Sequence, residues 1–398
     1  MCLRDDKSSE CGHDAKIGMV QAAFAAEPTL KLYFSPWSPP AWMKASGNLV
    51  GGKLKGIGTS DHRYVDAWAR SYVKFLDLWA AQNVSFWGFT ILNEPGSDQF
   101  VSWNSMALSG ADEKELVAAI GPAVKAKYPE IKLMVHDDQV YALKSRLEES
   151  GAGLLDSEYV DGIAFHWYGT QAGSYENGTA IEVASLQVPV GGGLEVRAIY
   201  EAHIRNASKG PKFMLATEAC NGYLVAVLHT LLDVNSESNN RGVRPGDWYR
   251  GFRYSKDIFF QLSNGASGWV DWNLLLDSNG GPNWAGNNVD APVIVGYGNT
   301  SLWISPMYFH LAHWAKYVTP GSISLAVDAS QSASLQVAAF LRPDGRIAVV
   351  CLADELDGHG DPPPNQSLIL TIRTSSGQLT RQVDIVSRSI STFVFEVD

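Results

Sequence analysis

Cysteine is scarce and scattered. Cys2, Cys11, Cys220 and Cys351 show no C-x-x-C spacing, so neither a zinc site nor a dense disulfide framework is expected. No apolar run reaches the roughly 18 residues that a membrane-spanning helix needs. Positive charge is thin: 31 Lys and Arg stand against 42 Asp and Glu, the net charge is −11, and no basic block stands out. Nucleic-acid binding is therefore not expected. The opening stretch, MCLRDDKSSECGHD, has no apolar h-region, so no signal peptide is expected in this sequence. Five N-x-S/T sequons, at Asn83, Asn177, Asn206, Asn299 and Asn365, are nevertheless compatible with a secretory route. A G-x-S-x-G elbow is missing, which argues against a serine hydrolase. No repeat of 20–50 residues is visible, which excludes a solenoid.

What the sequence has in quantity is aromatic side chains, with 13 Trp, 15 Tyr and 15 Phe in 398 residues. Exposed rings in an acidic protein suit the flat C–H faces of sugars, although core packing uses them equally well. With 45% hydrophobic and 18% charged residues, the chain has ample apolar material for one large domain or two ordinary ones. From about residue 29 to 273, short apolar runs (30–34, 86–91, 132–135, 162–165, 213–217 and 266–272) alternate with helical patterns. Those patterns cover 62–81, 112–127, 193–204 and 248–262. The alternation predicts an α/β architecture with a parallel sheet of six visible strands. After about residue 321, strand-length segments at 334–341, 347–352, 367–372, 381–386 and 392–397 predict an all-β sandwich.

Each apolar run ends in polar chemistry. The first leads into SPWSPPAW, the second into Asn93-Glu94-Pro95, the third into His136-Asp137-Asp138-Gln139. The fourth leads into His166-Trp167-Tyr168, the fifth into Glu218-Ala219-Cys220 and the sixth into Asp271-Trp272-Asn273. In a parallel α/β barrel the catalytic groups sit at the carboxyl ends of the strands. Helix capping explains an isolated Asp or Asn after a strand, and it accounts for Asp138. It does not account for Glu94 beside Asn93 and Pro95, nor for Trp37, Tyr168 and Trp272. A lone Glu after a strand is ordinarily a solvated cap. Two of them, Glu94 and Glu218, form the pair that glycosidic hydrolysis requires: one carboxyl to protonate the leaving oxygen, one to attack or stabilise the anomeric carbon. Asn93 can donate to a sugar hydroxyl, and Tyr168 to the nucleophile.

Other motifs carry less. His310 and His313 have the i, i+3 spacing of helical metal ligands, but a packed amphipathic helix explains them without a third ligand. His136-Asp137-Asp138 reads as polar strand-end groups lining a sugar cleft. The glycines at 191–193 follow no strand and read as a loop. No metal and no cofactor are expected.

At these residues the sequence resembles the glucosylceramidase branch of glycoside hydrolase family 30, the lysosomal acid β-glucosidase group. The stretches that carry the resemblance are SPWSPPAWMK (35–44), WGFTILNEP (87–95), LMVHDDQ (133–139), GIAFHWYG (162–169), FMLATEACNG (213–222), DWYRGFRYS (247–255), GWVDWNLLLDSNGGPNW (268–284) and SPMYFHLAHWAKYV (305–318). The resemblance implies a (β/α)8 TIM barrel plus a C-terminal β-sandwich. It places the barrel at residues 1–305 and the sandwich with its connecting helix at 306–398. By motif, Glu94 falls on the acid/base and Glu218 on the nucleophile of a retaining β-glucosidase. Trp37, Asn93, Trp272 and Asn287 fall on glucose-contacting positions. His166 and Tyr168 fall on residues that orient the nucleophile. Glucosylceramide or another β-glucoside is the implied substrate, in sphingolipid metabolism, with an activator protein and an anionic lipid surface as implied partners. A lysosomal or secreted location is implied for the family. Phe100, Trp103 and Met106 are candidates for an apolar rim that meets a lipid aglycone.

In the family, SPW follows the third barrel strand, so this sequence is expected to lack strands one and two and the sugar-gripping Asp they carry. On that reading the chain is N-terminally incomplete and its activity impaired. The alternatives are a related family 30 glycanase acting on β-1,6-glucan, and an inactive sugar- or lipid-binding or unstable remnant.

Overall fold

The structure is a computed structural model. It describes residues 13–96, 101–149, 153–168, 196–197, 199–205, 207, 209–223, 242–283, 285–328, 335–353, 365–374 and 377–396. The chain resolves into two compact units. One is drawn from Met1–His166 and Arg197–Thr217, the other from Trp167–Val196 and Glu218–Asp398.

The first unit opens with helix α1 (His13–Ala26) and is built on a sheet ordered β1-β2-β3-β4-β5. Its strands are β1 (Tyr33–Phe34), β2 (Gly88–Thr90), β3 (Lys132–Gln139), β4 (Gly162–His166) and β5 (Phe213–Glu218). The pairs β1–β2, β2–β3 and β3–β4 are parallel. Helices α2 (Arg63–Ala80) and α3 (Gly110–Lys125) lie between successive strands in sequence, followed by the short α4 (Leu143–Glu149). Strand β4 is buried at every residue, as expected where both faces of a sheet are covered. Helix α2 buries Val65, Trp68, Tyr72, Leu76 and Trp79, the stripe its 3.6-residue spacing predicts. Its Tyr72, with Phe75 and Trp79, closes on Phe34, Phe86 and Phe89 in one aromatic core. Helix α3 starts at a capping box. Ser109 accepts from the Asp112 backbone N–H and the Asp112 carboxylate accepts from that of Ser109.

The sixth apolar run, 266–272, is not a strand of this sheet. It is tied down instead by the Trp272 N–H, which donates to the Ala219 carbonyl at 2.8 Å. Only Ala266 of the run is buried, the rest being half-buried and Ser267 exposed; its apolar content makes it read as a strand although it enters none of the described sheets.

In the second unit, α5 (Trp248–Ser263) packs on α6 (Pro306–Tyr317). His310 lies at the crossing, its Nδ1 2.7 Å from Ser255 Oγ, and Gly251 stands where a Cβ would collide with the Pro306 carbonyl. His313 meets Thr392 at 2.9 Å. Both α6 histidines are packing residues. Between the two helices a small sheet joins β6 (Leu275–Asp277), β7 (Val293–Val295) and β8 (Leu302–Ile304). The chain then forms a four-stranded sheet from β9 (Ile323–Leu325), β10 (Leu335–Leu341), β11 (Ile347–Ala353) and β14 (Ser389–Phe395). A hairpin of β12 (Gln366–Thr374) and β13 (Gly377–Ile385) completes the set. Leu335, Val337, Ile347, Val349 and Cys351 pack against Leu368, Leu370, Ile372 and Val383 of the hairpin, which makes this a sandwich.

Candidate active site

Glu94 lies four residues past the end of β2, in the left-handed region at φ 47°. A non-glycine residue held there stores about 1–3 kcal/mol of strain, and such strain collects at functional sites. The backbone is held by neighbouring strand ends: Asn93 N–H donates to the Pro36 carbonyl at 2.8 Å and Glu94 N–H to the Asp137 carbonyl at 2.9 Å. Asn93 itself is buried.

The Glu94 carboxylate is 14% exposed and carries two neighbours on one oxygen. Gln139 Nε2 donates to Oε1 at 2.9 Å, and His166 Nδ1 stands 3.2 Å from the same atom. The other nitrogen of His166, Nε2, is 3.2 Å from Asp137 Oδ1. Asp137 also accepts hydroxyl bonds from Ser35 at 2.5 Å, Thr90 at 2.7 Å and Thr217 at 2.7 Å. One buried carboxylate thus gathers side chains from the ends of β1, β2, β4 and β5. Burial alone raises its pKa, but the bonds and positive charge of His166, with the two hydroxyls of Ser35 and Thr90, bring it below the usual aspartate value.

The run His136–Asp138, expected to line a sugar cleft, is instead buried, as is Gln139 after it. The backbone explains why: the β3–β4 register slips between His136 and Asp138, and His136 and Asp137 take φ of 76° and 50°. A bulge of this kind turns an adjacent pair of side chains away from simple alternation. Asp138 accepts from Gly96 N–H at 2.7 Å, so closely that a Cβ at Gly96 would lie 2.9 Å from its Oδ2. Burial, and then the charge of Glu94, push the Asp138 carboxyl up to about 6. His136 is pushed down to about 3, by burial first and the Arg146 charge second.

Trp37 follows β1 and its ring lies 6.4 Å from that of Trp103. The two loops that carry these rings share one clasp. Lys44 is fully buried and its ammonium donates to Ser38 Oγ at 3.3 Å, to the Leu49 carbonyl at 2.8 Å and to the Ser105 carbonyl at 2.5 Å. Lys44 does not stand out in the sequence, since a buried ammonium leaves no periodic signature, and Asp137 is visible there only as one of several polar strand-end residues. Met106 is completely buried and so is a core residue rather than part of a rim, while Trp103 is half-buried. Phe100 lies outside the described residues.

In the second unit, Glu218 is the last residue of β5 and is half-buried. Tyr168 O–H donates to its Oε1 at 3.1 Å, a bond that favours the ionised carboxylate. The same hydroxyl is 3.1 Å from Cys220 Sγ. Backbone ties fix the segment: Trp167 N–H donates to the Glu218 carbonyl at 3.1 Å. Tyr168 and Trp272 pack together against the cluster of Cys220, Leu276, Val289, Ala291 and Ile294. Asn287, buried in the loop between β6 and β7, is fixed through its backbone, its N–H and carbonyl both engaging the Asn283 side chain. The structure thus groups Glu94 with His166 in one unit, and Glu218, Tyr168 and Trp272 in the other.

The profile of the Glycosyl hydrolase family 30 TIM-barrel domain matches residues 6–181 and 198–318. Mouse lysosomal acid glucosylceramidase is 34% identical over 338 residues, which is 83% of this chain and 58% of the mouse protein. The chain thus spans less than two thirds of that relative's length. Among solved structures, SrfJ from Salmonella typhimurium superposes with a TM-score of 0.74 at 21% identity, covering 98% of this chain and 74% of its own. An endo-beta1,6-glucanase also gives 0.74, at 19% identity, with coverage of 100% and 79%. These two likenesses concern the fold. They fit the parallel sheet followed by antiparallel β layers described above.

Proposed function

The chain belongs to glycosyl hydrolase family 30, and on that premise we propose that it is a β-glucosidase that cleaves glucosylceramide to glucose and ceramide with retention of configuration. The observation that carries the reading is the unequal support of the two strand-end carboxylates. Glu218 receives a phenolic O–H, which suits an ionised nucleophile. Glu94 is held on one oxygen by Gln139 and His166, which leaves the other to carry an acid proton.

In the first step Glu218 attacks the anomeric carbon, the glycosidic C–O bond breaks, and the Glu94 proton passes to the departing oxygen. In the second, Glu94 takes a proton from water, the hydroxyl oxygen attacks the glycosyl–Glu218 ester, and glucose leaves with both carboxyls restored. Asn93, Trp37, Trp272 and Asn287 are assigned to the glucose, the indoles through their faces. Tyr168 is assigned to the nucleophile. We place the domain boundary near residue 305, with the sandwich and its connecting helix beyond it. A lysosomal or secreted location, an activator protein and an anionic lipid surface belong to the same proposal, which draws on the mouse relative. No helix among the described residues is long and apolar enough to cross a membrane.

The test is a side-by-side assay of glucosylceramide and a β-1,6-glucan. Release of glucose from the lipid supports the reading; cleavage of the glucan alone replaces it with a glycanase. An inert chain that still binds glucoside favours the sugar-binding alternative.

A further inference from the structure

Asp137 is the most heavily engaged side chain near Glu94, yet it has no part in the two chemical steps above. It is 1% exposed and bonded to three hydroxyls and one imidazole. Three hydroxyl donors are enough to satisfy a carboxylate. The fourth partner, His166, connects it to the proposed acid.

The donor accounting around His166 is specific. An ionised carboxylate only accepts, so His166 Nε2 carries a proton toward Asp137. On the other side, Glu94 Oε1 already accepts from Gln139 Nε2, and a proton meant for the leaving group belongs on Oε2. Oε1 is then an acceptor for His166 Nδ1 as well, which makes the ring an imidazolium. Among the described residues of the unit, the titratable groups around Asp137 and Glu94 fit this assignment. Asp138 is neutral below about 6, and His136 stays neutral down to about 3. Glu113 and Arg146, behind His136, neutralise one another in a buried pair at 3.2 Å. Asp137 is a buried carboxylate that meets the ring directly, through Nε2.

We infer that Asp137 is a positioning residue for the hydrolysis: its carboxylate keeps His166 doubly protonated, and the imidazolium against Glu94 Oε1 sets how readily Glu94 yields its proton and then serves as base. The inference rests on the function proposed above. A cation beside Glu94 stabilises the carboxylate left after proton transfer. Without it the carboxylate left on Glu94 after proton transfer loses its cationic partner and the second step slows.

Two readouts test this. Nitrogen-15 histidine NMR follows His166, assigned with His166→Gln, through a pH titration of wild type, Asp137→Asn and Thr90→Val. Turnover of a fluorogenic β-glucoside is then profiled against pH for the same three proteins. Asp137→Asn keeps an acceptor for the hydroxyls and removes the charge. It should lower the pH at which His166 titrates, move the basic limb of kcat/KM up by half a pH unit or more, and cut kcat about tenfold or more with a smaller change in KM. Thr90→Val removes a hydroxyl partner and leaves the charge; it should lower Tm with both profiles unmoved. Identical His166 titration in wild type and Asp137→Asn overturns the inference, and so does a Thr90→Val shift equal to that of Asp137→Asn. Wild type without turnover overturns the functional reading instead, and the imidazole titration then still decides the charge relation between Asp137 and His166.

Discussion

His166 stands between two carboxylates, with Nε2 3.2 Å from Asp137 and Nδ1 3.2 Å from Glu94. That single ring joins a buried carboxylate under the sheet's carboxyl ends to the side chain proposed to donate the proton. Its position comes from β4, whose buried strand delivers His166 as its last residue.

Substituting the proposed acid separates the two steps. Glu94→Gln cannot protonate a leaving group, so turnover of an alkyl glucoside should fall by about 10²–10⁴-fold, the range for general acid–base catalysis. A glucoside with an acidic phenol as leaving group should still glycosylate Glu218. Azide, which needs no base to attack, should then restore turnover and yield β-glucosyl azide. Equal losses on both substrates without azide rescue would count against Glu94 as acid/base.

Tyr168→Phe removes the O–H that meets Glu218 and leaves the ring packed against the cluster of Cys220, Leu276 and Val289. A hydrogen bond to a charged group is worth about 1.5–3 kcal/mol, so kcat/KM should fall by roughly 10–150-fold with Tm little changed. A loss below threefold would mean that Tyr168 does not hold the nucleophile.

Lys44→Met should be mainly a stability lesion with a specificity echo. It leaves the Leu49 and Ser105 carbonyls without their buried donor, at about 1–3 kcal/mol each. It also loosens the loops that carry Trp37 and Trp103, so KM should rise more than kcat falls. An unchanged Tm, measured by calorimetry, would contradict the clasp.

Stability against pH has two opposing slopes in the second unit. Burial pushes Asp257 from 3.8 up to about 6, so the fold holds its proton more tightly than the unfolded chain does and stability declines as pH rises from about 4 to 6. Burial pushes His310 from 6.5 down to about 3, so stability declines as pH falls from about 6.5 to 3. Each group contributes at most about 1.4 kcal/mol per pH unit. Asp257→Asn removes the first slope. Relative to wild type, its Tm should improve between pH 4.5 and 6.5; a constant difference across that range would refute the assignment.

Much of this was legible in the sequence, for reasons that differ by residue. Trp68, Tyr72, Leu76 and Trp79 repeat at helical spacing, and the run at 162–165 is continuous because its strand is buried throughout. Glu94 and Glu218 were visible as acidic residues following apolar runs. Asp137 was not readable as a hub, since its placement depends on a bulge that leaves no pattern in the order of residues. The run at 266–272 misled because apolar content does not report strand pairing. Met106 misled in the opposite sense: an apolar residue near Glu94 reads equally well as rim or core, and here it is core.

The central claim is that Glu218 becomes covalently bound to glucose while Glu94 exchanges the proton. A 2-deoxy-2-fluoro-β-glucoside with an activated leaving group tests it most directly. The fluorine slows both steps by disfavouring the oxocarbenium-like transition state, and the good leaving group lets the intermediate accumulate. Intact-mass spectrometry should show one added fluoroglucosyl unit, and peptide mapping should place it on Glu218, with none in Glu218→Gln. Turnover of ordinary β-glucosides with no label trapped, or a label mapped to any other residue, would contradict the account.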